Sequence, residues 1–254
     1  MEKTAHYWLK TAYQKLHRLL DLDHRRRIEN TFHYSDYLRL TARSLEHLAT
    51  LNLPLSNRTV LEVGAGAGDL SSYFLDRGCH LTITEVRPEL LGYLRRRYPG
   101  QTVQQLDLDR PSPLEGSPFE VVFCYGVLYH LKQPGEALAY LGACCSDLLL
   151  VSSQVLFGST MTISEVDERQ SRFSQSYYGR GTRFTRRWLY ECLCDHFPYV
   201  YTPITQPAHH QFPCDWSELG EHRGMRRANF VAARRALDTP WLMEGLLERQ
   251  ERQV

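Results

Sequence analysis

The chain has 254 residues, 43% of them apolar and 23% charged, the make-up of a globular protein with enough length for one full α/β core and appendages. A formal net charge of +1 sets up no global field toward nucleic acid or an acidic surface. The seven cysteines make no C-x-x-C pair and no apolar run is long enough to span a bilayer, so a cytoplasmic protein with no membrane partner is expected.

Residues 1–55 read as a helical cap rich in aromatics, among them Tyr7, Trp8, Tyr13, Phe32, Tyr34 and Tyr37, without the apolar core of a secretory leader. From Thr59 the pattern changes to short apolar runs alternating with amphipathic stretches. "TVLEV" is a strand and "DLSSYFLDRG" a helix closed by Gly78; "HLTITEV" is a second strand, followed by a helix that Pro88 opens and Pro99-Gly100 end. "TVQQLDL" and "FEVVFCY" follow as strands, then the helical "PGEALAYLGACC" and a fifth strand, "DLLLVSS". A polar insertion over 154–187 precedes the helix "RRWLYECLCDHF", the strand-like "YVYTPIT", a Pro- and His-rich loop, the strand "RANFVAARR" and a charged tail over 237–254. Strands alternating with helices predict a doubly wound, mostly parallel sheet covered on both faces, over residues 56–236 of a single domain. The short runs Arg25-Arg26-Arg27, Arg95-Arg96-Arg97 and Arg226-Arg227 read as solvated faces.

The stretch "VLEVGAGAGDLSSYF" carries the chemistry. A glycine turn between strand and helix lets the backbone approach a ligand closely. The dinucleotide fingerprint G-x-G-x-x-G is broken here, because Asp69 stands where its third glycine belongs and Glu62 precedes the turn. Two carboxylates would repel a pyrophosphate and suit a ligand that carries positive charge.

"LEVGAGAG" resembles the first motif of the class I S-adenosylmethionine-dependent methyltransferases, an acidic residue followed by G-x-G-x-G. The resemblance runs from about Thr59 to Ala233 and implies a seven-stranded Rossmann-like sheet whose last strand lies antiparallel between the fifth and sixth. It implies S-adenosylmethionine as cofactor and S-adenosylhomocysteine as product, held by Glu62, Gly64, Gly66 and Gly68 at the turn. Glu85, ending the second strand, would take the ribose hydroxyls, and Asp107 with Leu108 the adenine. "FEVVFCYGVLYHL" resembles the fourth motif, whose carbonyls near Cys124, Tyr125 and Gly126 would face the methionyl ammonium.

Ligands of such a sheet bind beyond the carboxyl ends of its strands, so the acceptor is expected among the following loops and the cap. His130 is the candidate general base, the alternative being a histidine that packs or caps the next helix. His209 and His210 are further catalytic candidates, with a structural role as the alternative. Tyr129, Tyr177, Tyr178 and Tyr34 are candidate substrate contacts, "YYG" reading as part of a lid or as core packing. Tyr13, Tyr34 or Tyr37, with Arg39 or Arg43, would close over the methionine carboxylate or simply pack. The acidic "SEVDER", with Glu165, Asp167 and Glu168, reads as a solvated helix start, and the spacing of Cys192, Cys194 and His196 spreads them around a helix, so no metal is expected. The expected activity is methyl transfer to oxygen or nitrogen of a small-molecule acceptor, by a monomer or homodimer with no nucleic-acid partner. RNA or protein methylation, or a cofactor-binding partner protein without turnover, are the alternatives.

Overall fold

The computed structural model describes residues 22–217 and 224–253, so Tyr7, Trp8 and Tyr13 lie outside the described residues. Two helices lead in: α1 over 22–32, and α2, Ser35–Thr50. Eight strands then make one sheet: β1 (Thr59–Glu62), β2 (His80–Glu85), β3 (Thr102–Gln105), β4 (Phe119–Tyr125), β5 (Cys145–Val155), β8 (Tyr199–Pro203), β10 (Arg226–Ala233) and β11 (Leu242–Glu244). Their order is β11-β8-β10-β5-β4-β1-β2-β3. The strands from β3 to β5 are mutually parallel, and β10 runs antiparallel between β5 and β8, as the family pattern implies.

Helices cover both faces because their apolar residues recur at helical spacing. On α5, Pro134–Cys144, Ala137, Leu138, Leu141 and Cys144 are buried; with Leu189 and Leu193 of α6, Arg186–Cys194, they fill one core. Leu48 of α2, Phe74 of α3 (Ser72–Leu75) and Leu94 of α4 (Pro88–Arg97) fill the opposite one. Each fully buried Leu or Phe among them contributes about 1.5–3 kcal/mol. In α4, Pro88 pre-sets the first turn, and Arg95, Arg96 and Arg97 close the last, where cations complement the helix dipole.

Three stretches differ from expectation. The helix expected from Asp69 shrinks to α3, because Gly68, Ser71, Tyr73 and Phe74 bond three residues back and wind as successive turns. The inserted segment makes a hairpin of β6 (Ile163–Asp167) and β7 (Arg180–Phe184), so Glu165 and Asp167 stand on a strand and not at a helix start. The stretch read as a charged tail supplies β11, which shields the free edge of β8, and β12 (Glu251–Arg252), which pairs with β9 (Thr205–Gln206).

The cap is docked by polar contacts as well as apolar ones. His47, fully buried, bonds through Nε2 to the carbonyl of Thr205 at 2.9 Å. At its other end His33 Nε2 meets Asp69 Oδ1 at 3.1 Å, and Phe32 lies over the glycine turn.

Candidate active site

The carboxyl ends of β1, β2, β4 and β5, the cap and the hairpin loop enclose a cavity of about 340 Å³. Gly64 and Gly66 line it with φ of +62° and +57°, a region that side chains disfavour. A Cβ on Gly66 would also stand 3.0 Å from the Phe32 ring. Glu85 lines the cavity, its Oε2 accepting the Gly66 N–H at 3.0 Å and its Oε1 the N–H groups of Val86 and Arg87 at 2.8 and 3.1 Å. Burial pushes this carboxyl upward, against those amides and Arg87. Asp107, Leu108 and Tyr125 line the same wall, so most of the residues assigned to the cofactor meet around one space.

Glu62 and Gly68 do not. Glu62 is buried beneath the turn, where it accepts the Ser71 hydroxyl at 2.5 Å, and burial raises its carboxyl to about 7. Gly68 faces Leu94 and Tyr98 of the helix beyond, and the Tyr98 hydroxyl donates to its carbonyl. Both residues shape the turn from outside the cavity.

At the acceptor end Tyr129 and His130, in a single 3₁₀ turn after β4, line the cavity. His130 Nδ1 lies 2.6 Å from Glu168 Oε2. Glu168 also accepts the Ser176 N–H at 2.7 Å and Arg183 at 3.3 Å, and only 3% of its side chain is exposed. Burial would raise the Glu168 carboxyl, but the bonds from His130, Ser176 and Arg183 outweigh it and hold it low. Burial dominates at His130 and depresses it below the ordinary 6.5, despite the carboxylate. The pair is therefore a neutral imidazole donating Nδ1–H to a carboxylate, with Nε2 the basic nitrogen. Gly181 makes the approach possible: a Cβ there would come within 2.6 Å of the Tyr129 carbonyl and 2.7 Å of Glu168 Oε1.

The loop over 168–179 lies across the cavity, with Phe173, Gln175 and Tyr177 on its inner side. Arg87 fastens it, Nη2 facing the carbonyls of Gln170, Arg172, Gln175 and Ser176 at 3.0–3.2 Å. Tyr178 is on the outer side, not among the cavity-lining residues; its hydroxyl bonds Asp107 Oδ2 at 2.6 Å and so ties the loop to the third strand's acid. Tyr34 stands half-exposed at the rim against Tyr37.

Neither His209 nor His210 lines the cavity. His209 turns to Asp36 of α2 at 3.3 Å with its side chain fully buried, and His210 is 61% exposed beside it. These three offer donor atoms within 4.8 Å of one another, but Asp36 also pairs with Arg39, and the group reads as a charge clamp between cap and core. Arg39 and Arg43 face Asp36 and Glu46 of their own helix and not the cavity. Sequence reasoning took Glu168 and Arg227 as solvated, whereas both are buried in the cavity wall, and it passed over Arg87, Arg183 and Gln211, which line the cavity with them. For Arg227 a signal existed: a pair of charges, Arg226-Arg227, opening an apolar strand at the ligand-binding end of the sheet.

Residues 61–147 match a family model described as a methyltransferase domain. A tRNA U34 carboxymethyltransferase from Alcanivorax borkumensis is 31% identical over 145 residues, 54% of this chain and 45% of that protein. A ubiquinone biosynthesis O-methyltransferase from Xylella fastidiosa is 31% identical over 118 residues, 43% of this chain and 44% of that one. The aligned part spans just under half the length of these curated relatives. Among solved structures, the N-terminal domain of EvdMO1 with SAH bound superposes with a TM-score of 0.58 at 16% identity, covering 76% of this chain and 81% of that one. Magnesium protoporphyrin IX methyltransferase (ChlM) from Synechocystis PCC 6803 with bound SAM gives 0.52 at 15%, covering 84% and 91%. At such identities the superpositions speak for the fold, while the motifs, the family model and the relatives speak for the family. Residues 61–147 are a methyltransferase domain, and the motifs they carry are those that support a class I S-adenosylmethionine-dependent methyltransferase.

Proposed function

We propose that the chain moves the methyl group of S-adenosylmethionine to an oxygen or nitrogen of a small molecule held under the cap and the hairpin loop, with His130 as general base. The observation that carries this reading is the His130–Glu168 pair at 2.6 Å in the cavity wall. The cavity fits the cofactor's chemistry: Glu85 and Asp107 offer carboxylate acceptors for hydroxyl and amino groups, and the glycine turn admits close approach.

S-adenosylmethionine, when bound, supplies a methyl on a sulfonium that leaves as a neutral thioether. The chain's own residues align the acceptor, exclude water and move a proton. Glu168 fixes the Nδ1–H tautomer and balances the imidazolium that forms when Nε2 takes the acceptor's proton. Such a base contributes about 10²–10⁴-fold. Arg87 holds the loop over the site through four carbonyls. A cytoplasmic setting accords with the seven free thiols, a monomer or homodimer is proposed, and no described helix is long and apolar enough to cross a membrane.

The name of the Alcanivorax relative favours a second reading, methylation of RNA. The test is release of S-adenosylhomocysteine from the protein with S-adenosylmethionine and either a panel of hydroxylated and amino small molecules or bulk tRNA. Release with small molecules alone is expected. Release with tRNA alone, falling steeply with added salt, would replace this reading with the second.

A further inference from the structure

Arg227 is a buried charge without a counter-charge at the acceptor end of the cavity. It is the second residue of β10, where that strand meets the carboxyl end of β5, opposite Gln154, and only 9% of it is exposed. Nε donates to Gln211 Oε1 at 2.9 Å and Nη2 to the Tyr129 hydroxyl at 3.2 Å, both neutral acceptors. Among the described residues no carboxylate pairs with it, and Nη1 has no acceptor. The other two guanidinium groups of the wall are accounted for, Arg183 by Glu168 and Arg87 by Glu85 and the loop carbonyls. A guanidinium keeps its charge at any physiological pH, and burying a charge is unfavourable unless something pairs with it.

We infer that Arg227 is the anion anchor of the acceptor site, and that the acceptor is a carboxylic acid bearing the hydroxyl or amine to be methylated. The inference rests on the methyl-transfer reading and narrows its substrate class. Nη1 and the remaining Nη2 hydrogen match the two oxygens of a carboxylate. One cation also balances a monoanion: a phosphate dianion would leave a second charge beside Glu168. Tyr129 links the anchor to the base, since its hydroxyl accepts from Arg227 and its ring lies 4.1 Å from that of His130. An acceptor docked by its carboxylate is thereby held with its nucleophile toward His130.

The test is calorimetry on protein loaded with S-adenosylhomocysteine, titrated with acetate, benzoate and inorganic phosphate, with acetamide and benzamide as uncharged partners. At least one carboxylate is expected to bind about tenfold or more tighter than its amide. Arg227→Gln is expected to erase that preference while changing S-adenosylhomocysteine affinity less than about threefold. Arg227→Lys, which keeps the charge and loses the fork, retains part of the preference. Carboxylates no better than amides, a preference that survives Arg227→Gln, or phosphate binding tightest would each overturn the assignment. So would a tenfold loss of S-adenosylhomocysteine affinity in Arg227→Gln, which would give the guanidinium to the cofactor's own carboxylate. Failure of the wild type to bind S-adenosylhomocysteine at all would strike the methyl-transfer reading, a result distinct from any of these.

Discussion

His130 Nδ1 and Glu168 Oε2 stand 2.6 Å apart, joining the turn after β4 to the first residue beyond β6. The contact couples the proposed base to the loop that covers the site, so chemistry and closure share one hydrogen bond. His130→Ala is expected to lower kcat by 10²-fold or more. Glu168→Gln removes the charge that raises the imidazole, so the acid limb of the pH–rate profile, already below 6.5, moves further down as kcat falls about tenfold. A histidine that only packs would show neither the shift nor a loss beyond about tenfold, and the pH profile separates the two.

Arg87 follows Glu85 by two residues and holds four carbonyls of the covering loop. Arg87→Ala is expected to free that loop, raising the Kd for S-adenosylhomocysteine about tenfold and exposing the amides around residues 170–176 to hydrogen exchange. Arg87→Lys, a point charge without the guanidinium fork, should recover little. Unchanged exchange in the alanine variant would show that the loop does not depend on this anchor.

Glu62 governs stability and not contact with ligand. Its carboxyl rises to about 7 on folding from 4.5, so its stabilising contribution is full below about pH 4.5 and lost as pH rises to about 7. The span corresponds to a loss on the order of 3 kcal/mol. Glu62→Gln is expected to raise Tm at pH 8 and leave S-adenosylhomocysteine affinity within about threefold. A large loss of affinity would return Glu62 to the cofactor site.

His47 carries the opposite sign. Burial lowers it to about 4 from 6.5, so its contribution is full above 6.5 and lost as pH falls toward 4, again on the order of 3 kcal/mol. Acidification should therefore loosen the cap from Thr205 first, read as amide exchange in α2 ahead of the sheet. His47→Gln is expected to flatten this acid-side loss.

The strands and the glycine turn were legible because they depend on local features: short apolar runs, Pro88 and Gly78 as stops, and a motif at a strand end; the placing of the antiparallel strand came with the family resemblance. The residues that finish the site depend on tertiary approach. Glu168 sits in an acidic run that reads as solvated, and only the close passage of Gly181 past Tyr129 buries it. His209 lies in a loop that the topology brings near the site, yet α2 passes over it and Asp36 takes its ring. Arg227 sits in a short Arg run that reads as solvated, and it stands out once β10 is known to begin beside Val155 and Gln154.

The most direct test of the central claim is calorimetry with S-adenosylhomocysteine on the wild type and on Glu85→Gln, which keeps the side chain's shape. Micromolar binding that weakens about tenfold or more in the variant is the expected result. No binding by folded wild type, or equal binding by both proteins, would contradict a cofactor site built around Glu85.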